Sequence, residues 1–188
     1  SLPARYDGCL VKLTPATFYF SEEKPSPVDS VKIKDGKFRF AGTVQEPTVY
    51  MITIDGGDYK IPDMASIAVV IEPGDITMKY DTLGIIMAGT PVNERYRATI
   101  GEAKRETVRQ RQLLWQERDS VKRLPGSVEN EVDTYYNLKS SAIFKENVIP
   151  ASENFIREYA GTEIGEFFFF HCCGKDMYSK AFVDEVYP

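Results

Sequence analysis

A chain of 188 residues with a formal charge of −5 can bury a core without staples, and its acidity argues against nucleic acid or an anionic membrane surface as main partner. Three cysteines, Cys9, Cys172 and Cys173, are too few and too badly spaced for a disulfide scaffold or a Cys-x-x-Cys pair. No apolar run reaches the roughly 20 residues needed to cross a bilayer, and the N-terminus lacks the basic leader and apolar core of a signal peptide, as a trimmed product would.

The first strand is expected at 8–13, with Leu10 and Cys9 turned toward a core. The Pro-, Ser- and Glu-rich stretch 14–27 reads as loop, in which Phe18, Tyr19 and Phe20 either extend a strand or pin the loop down. A hairpin follows at 29–44. Its Asp35-Gly36 corner suits a two-residue type I′ turn, because both central positions need positive φ. That corner sets the pairs Lys34 with Lys37, Ile33 with Phe38, Lys32 with Arg39 and Val31 with Phe40, leaving one face apolar and the other cationic. Glu46-Pro47 ends the hairpin, and 49–54 forms the next strand with Tyr50, Ile52 and Ile54 on one face. After a polar loop over 55–64, the nearly continuous apolar run 66–71 predicts a central strand buried on both faces. Glu72-Pro73-Gly74-Asp75 fits a type II turn. Strands at 76–80, with Ile76, Met78 and Tyr80 inward, and at 83–88 complete the β part.

From Gly89-Thr90 the apolar period changes from two to about 3.6 residues. Thr90 is placed to cap a helix that Pro91 begins. Val92, Tyr96, Ile100, Ala103, Thr107 and Leu114 trace one thin stripe, and an unbroken helix to Arg123 would be about 48 Å long. So polar a helix needs a partner. Leu124-Pro125-Gly126-Ser127 is a stop and restart, after which Val128, Val132, Tyr135, Leu138, Ala142 and Ile143 form a second stripe; 92–148 therefore reads as an antiparallel helical hairpin that Pro150 ends. Short helices are expected near 153–159, 162–171 and 179–187. The fold class is α+β: an antiparallel β-sandwich or curved sheet over 1–90, then a helical region over 91–188, divided into the hairpin 91–149 and short helices 150–188.

His171-Cys172-Cys173 is the one cluster of reactive groups, and Cys172 and Cys173 are the redox candidates. The residues favour a plainer role, an apolar helix end with small buried thiols, because a structural metal site needs about four ligands at short spacing. Lys32, Lys34, Lys37 and Arg39 are the candidate binding residues: they oppose like charges, so either acids such as Asp29, Glu46, Asp55 and Asp58 compensate them or they form a docking face for an acidic partner or for the chain's own downstream domain. Trp115, Tyr135 and Tyr136 are expected between the helices rather than on a binding surface. No catalytic triad, phosphate loop or metal motif is visible, so neither metal nor cofactor is expected.

The turn patterns Asp29-Ser30, Asp35-Gly36-Lys37-Phe38-x-Phe40-x-Gly42, Glu46-Pro47, Ile71-Glu72-Pro73-Gly74-Asp75-Ile76 and Gly89-Thr90-x-x-Asn93 together resemble a known family. It is the N-terminal domain of unknown function of many Bacteroidetes envelope proteins that carry a thioredoxin-like, thiol–disulfide interchange domain behind it. The run from Asn154-Phe155-Ile156 to Gly165 is similar to the helical linker of those proteins. The resemblance implies a periplasmic or envelope location, often through a lipidated cysteine. It also implies a non-catalytic accessory role whose partners are a downstream thioredoxin-like domain, a second copy through the long helices, or substrate proteins. Relatives usually have one more strand ahead of 8–13. An independent peptide- or glycan-binding module is the other reading, and a redox activity of Cys172 and Cys173 themselves the third.

Overall fold

The computed structural model describes residues 2, 4–16, 26–55 and 66–188; Phe18, Tyr19, Phe20, Asp58 and nearly all of the expected polar loop lie outside the described residues. Four strands, β1 (Leu10–Pro15), β2 (Asp29–Lys32), β3 (Thr48–Asp55) and β4 (Ile67–Ile71), form an antiparallel sheet in the order β2-β1-β3-β4. A second antiparallel sheet is the hairpin β5 (Thr77–Asp81) and β6 (Gly84–Ala88). Tyr50, Ile52 and Ile54 of β3 face one way, as their period of two requires, into an apolar cluster shared with Met78, Tyr80, Ile85 and Met87 of the hairpin. Val49 and Met51 face the other way, toward the helices. The four-stranded sheet is thus the middle layer between a β-hairpin and a helical layer, the α+β arrangement its patterning predicts.

Several local expectations are corrected. In β1 the inward residues are Val11 and Leu13, while Leu10 lies on the opposite face, because pairing with β3 sets the phase. The run 67–71 is buried on both faces, yet β4 is an edge strand, covered by layers above and below rather than by neighbours on both sides. The Asp35-Gly36 corner forms as expected, with φ of 52° and 67° and both hydrogen bonds of the Lys34–Lys37 pair, at 2.9 and 3.0 Å. The ladder stops there. Ile33–Phe38, Lys32–Arg39 and Val31–Phe40 do not pair; β2 instead pairs with β1, Lys32 opposite Leu10 and Val31 opposite Val11. The alternation itself survives: Ile33 is buried, Phe38 and Phe40 are half-buried, and Lys32, Lys34, Lys37 and Arg39 are exposed.

The helical run from Pro91 to Lys122 is continuous but not uniform. It comprises α1 (Pro91–Tyr96), a π-helical segment (Arg97–Gly101) and α2 (Glu102–Lys122). Its expected stripe is largely correct, with Val92, Ile100, Thr107 and Leu114 buried. Helix α3 (Glu129–Glu158) packs antiparallel to α2, but its stripe is not the expected one: Val128, Tyr135 and Leu138 are exposed, Leu138 by 68%, and Tyr136, Ser140 and Val148 are buried instead. The reason is that the seam is held by polar contacts. Tyr136 donates to Glu117 at 2.9 Å, Arg111 to the Ser140 carbonyl at 3.0 Å, and Lys122 pairs with Asp133 at 2.7 Å. Of the three aromatics expected there, only Tyr136 is buried; Trp115 is half-buried under the Arg118 guanidinium and Tyr135 faces out.

Pro150 does not end α3, which runs on for two more turns and absorbs the separate helix expected at 153–159. An interior proline costs a helix about 3 kcal/mol, offset here by burial of Ser152, Phe155 and Ile156 just beyond it. Helices α4 (Glu163–His171) and α5 (Lys180–Val186) follow, capped by Thr162 and Ser179, whose hydroxyls accept from the N–H groups of Gly165 and Phe182. Phe155, Phe167, Phe168 and Phe169 belong to the helical core with Val49, Met51 and Val70 of the sheet; Phe168 packs edge-to-face with Phe155 and Phe167, and Phe169 stacks on Tyr178.

Candidate functional site

Residues of the turn patterns converge at one place, the joint between sheet and helices. The edge strand β4 turns the main-chain N–H and C=O of Val70 away from β3, and a buried edge must find partners for them. The Asn93 carboxamide supplies both: its Oδ1 accepts from Val70 N–H at 3.3 Å and its Nδ2 donates to Val70 O at 2.6 Å, as a peptide group on a neighbouring strand would. Asn93 is wholly buried, and its Nδ2 also reaches Thr90 Oγ1 at 2.9 Å and Glu72 Oε1 at 3.4 Å. Thr90 is the N-cap residue but its hydroxyl does not cap; the side chain that does belongs to Glu72, which lies just after β4 and before the β5–β6 hairpin. Glu72 Oε1 accepts from the N–H groups of Val92, at 2.8 Å, and Asn93, at 3.3 Å, placing a carboxylate at the positive end of α1. Glu94 reaches back to the Gly89 N–H at 2.9 Å. A second tie lies farther along, where Arg105 grips Asp81 at the end of β5 through two bonds of 2.9 Å, and this contact holds the Asp81 carboxyl below its usual range.

Sequence reasoning had no way to link Glu72 to Asn93. The available signal was a carboxylate and an amide flanked by residues that the apolar pattern buries, since a buried polar group must be satisfied.

The two adjacent thiols lie beyond α4, both half-buried and free, as is Cys9, which packs against the β cluster far from them in the fold. Groups that the sequence did not single out surround them. Ser152 Oγ, on α3, is 3.5 Å from Cys173 Sγ, and Tyr178 donates to Ser152 Oγ at 3.2 Å. A hydrogen bond from Cys172, helped by Ser152, Tyr178 and the charge of Lys104, lowers the Cys173 thiol to about 6, while Cys172, as donor and more deeply set, is raised. His171 stacks on Phe167 and is held below its usual range by burial. Among the described residues, no three His, Cys, Asp or Glu side chains gather as a metal would need.

This geometry predicts the pH dependence of alkylation. In a Cys9→Ser protein, iodoacetamide modification of Cys173, mapped by peptide mass, reaches half its maximal rate near pH 6 and rises above it as the thiolate fraction grows. Adding Cys172→Ala removes the main donor and moves the midpoint up toward the ordinary thiol value of about 8.5. A midpoint near that ordinary value in both proteins would refute the hydrogen-bonded thiolate.

The four cationic candidates stay together as a group but on the surface. Lys32 ends β2, Lys34 and Lys37 flank the turn, and Arg39 lies in the segment that leaves the sheet. Among the described residues none of them has an acidic partner: Asp55 pairs with Lys12, and Asp29 accepts from the Ser30 N–H. Beside them a cavity of about 1080 Å³ opens between the two sheets. Ile52 and Val69 floor it, Met78 and Ile85 roof it, and Phe38 and Phe40 form a side wall, their rings edge-to-face at 5.8 Å.

Neither the curated proteins nor the solved structures contain a match to this chain. Among the described residues no helix is long and apolar enough to cross a membrane. Residues 9–96, which span the β layers and α1 with its joint to the sheet, match the family model for the domain of unknown function DUF4369, and that stretch carries such a domain.

Proposed function

We propose that this chain is a non-catalytic accessory module of a cell-envelope thiol–disulfide oxidoreductase, in which it positions a thioredoxin-like domain, mediates dimerisation through the long helices, or recognises substrate proteins. The observation that supports this reading is the joint. Glu72, Gly89, Thr90 and Asn93 all lie in the turn patterns of the resemblance, and they fix a helical arm to a sheet rather than surround a reacting group. An arm clamped at its root is suited to holding a neighbour at a set distance. The envelope location and lipid anchor belong to the same proposal.

The test is to read the coding sequence beyond Pro188. A strand followed by Cys-x-x-Cys at the start of a helix is the expected result; a stop codon directly after Pro188 sinks the oxidoreductase assignment. A second reading, an independent binding module with no redox role, is favoured by the cavity between the sheets. Its apolar walls suit a peptide better than a glycan, which needs exposed aromatic platforms and hydrogen-bonding groups.

A further inference from the structure

Residues 37–41 have the alternation of a strand without the pairing of one. Phe38 and Phe40 are half-buried between exposed Lys37, Arg39 and Ala41; Gly42 and Thr43, both exposed, separate them from half-buried Val44. Among the described residues, no main-chain hydrogen bond engages the N–H or C=O groups of 38–44, and the last pair of the ladder is Lys34 with Lys37. Beta strand β2, from which the segment departs, is itself the outer strand of its sheet. Unpaired main-chain groups beside an apolar cavity are the two halves of a strand-addition site, the first giving affinity and the second reading alternate side chains.

We propose that this slot binds an extended polypeptide segment, which adds as a β-strand along 38–44. Its apolar side chains, at every second position, enter the cavity between the sheets against Phe38 and Phe40. Its intervening side chains are acidic and face Lys37 and Arg39, which have no acidic partner among the described residues and for which a cationic or neutral strand would be a poorer match. A strand is favoured over an acyl chain because only a strand satisfies the main-chain groups as well as the cavity. The inference deepens the recognition part of the proposed function and needs no thioredoxin-like neighbour. The coding sequence beyond Pro188 and the peptide experiment below therefore fail independently.

The probes are two blocked peptides of about nine residues, one alternating valine with glutamate and the other valine with lysine. Each is titrated into isotope-labelled protein while amide hydrogen exchange is followed. The glutamate peptide is expected to bind about tenfold more tightly than the lysine peptide, the sum of two cross-strand charge pairs. At saturation it slows exchange across 38–44. A Lys37→Glu, Arg39→Glu protein, changed only at exposed positions, reverses the preference, and Ala41→Pro, which removes one main-chain donor, weakens both peptides. The proposal is overturned if neither peptide saturates, if exchange at 38–44 is unchanged at saturation, or if charge reversal leaves the order of the two peptides as it was. It is equally overturned if decanoate fills the cavity while the glutamate peptide does not compete with it.

Discussion

Replacing Asn93 by leucine is expected to lower the unfolding free energy by about 4 kcal/mol, because it orphans both main-chain groups of Val70 at a dry edge and each costs about 1–3 kcal/mol. Leucine shares the branching of asparagine but its methyl groups are bulkier, so crowding at this fully buried position adds to the cost of the lost hydrogen bonds. Asn93→Asp should be no milder. An aspartate keeps an acceptor for the Val70 N–H but cannot donate to its carbonyl, and it brings a second carboxylate against Glu72. Urea unfolding followed by far-UV circular dichroism reads both variants. A loss below about 1 kcal/mol for Asn93→Leu would mean that other groups pair with Val70 when the amide is gone.

Gly89→Ala is the second large effect, and it arises from contact rather than bonding. Gly89 has φ of +104°, and a Cβ there would lie 2.1 Å from the Asp75 carbonyl oxygen, so the turn into β5 and the entry to α1 must separate. Backbone cannot yield as a side-chain tip does. The expected loss is about 3 kcal/mol or more, of which about 1 kcal/mol is the conformational preference of glycine. Gly84→Ala separates the two parts. Gly84 has a similar φ of +113° but, among the described residues, nothing within 4 Å of its added Cβ, so that variant should lose only the conformational part. Equal losses for the two alanine variants would show that close approach at Gly89 is not the source of its cost.

What was legible in the chain was what neighbouring residues decide. The Asp35-Gly36 corner, the faces of β3 and β5, the helix that starts at Pro91 and the short helices near 162–171 and 179–187 all rest on interactions within a few residues, and the fold class follows from them. What was not legible depends on partners distant in sequence. Nothing near Phe38 says that β2 will pair with β1, so the drawn hairpin ran on past the point where its ladder ends. Helical periodicity placed Tyr135 and Leu138 inside because it assumes an apolar seam, whereas here Glu117, Arg111 and Asp133 bridge the helices. Pro150 was read by its local cost alone, which the buried run beyond it outweighs.

The candidate sites divide in the same way. The exposure of Lys32, Lys34, Lys37 and Arg39 follows from alternation, and their lack of acidic partners among the described residues does not. Cys172 and Cys173 could be named from their adjacency. Ser152, which lies on α3 and 21 residues from Cys173 in the chain, and Tyr178, which donates to Ser152, could not be named.

The wide turn at Arg97–Gly101 has a bearing on how one helix serves two partners. Relative to ordinary pitch, such a turn accommodates about one extra residue, equivalent to a rotation near 100° about the axis. Upstream, Val92 and Tyr96 look toward the sheet and the phenylalanine core; downstream, Thr107 and Leu114 look toward α3. The extra residue works as a phase shifter, setting the azimuth of the far arm independently of its root. Insertions or deletions inside those five positions would swing the distal hairpin around its own axis while leaving the clamp at Asn93 untouched.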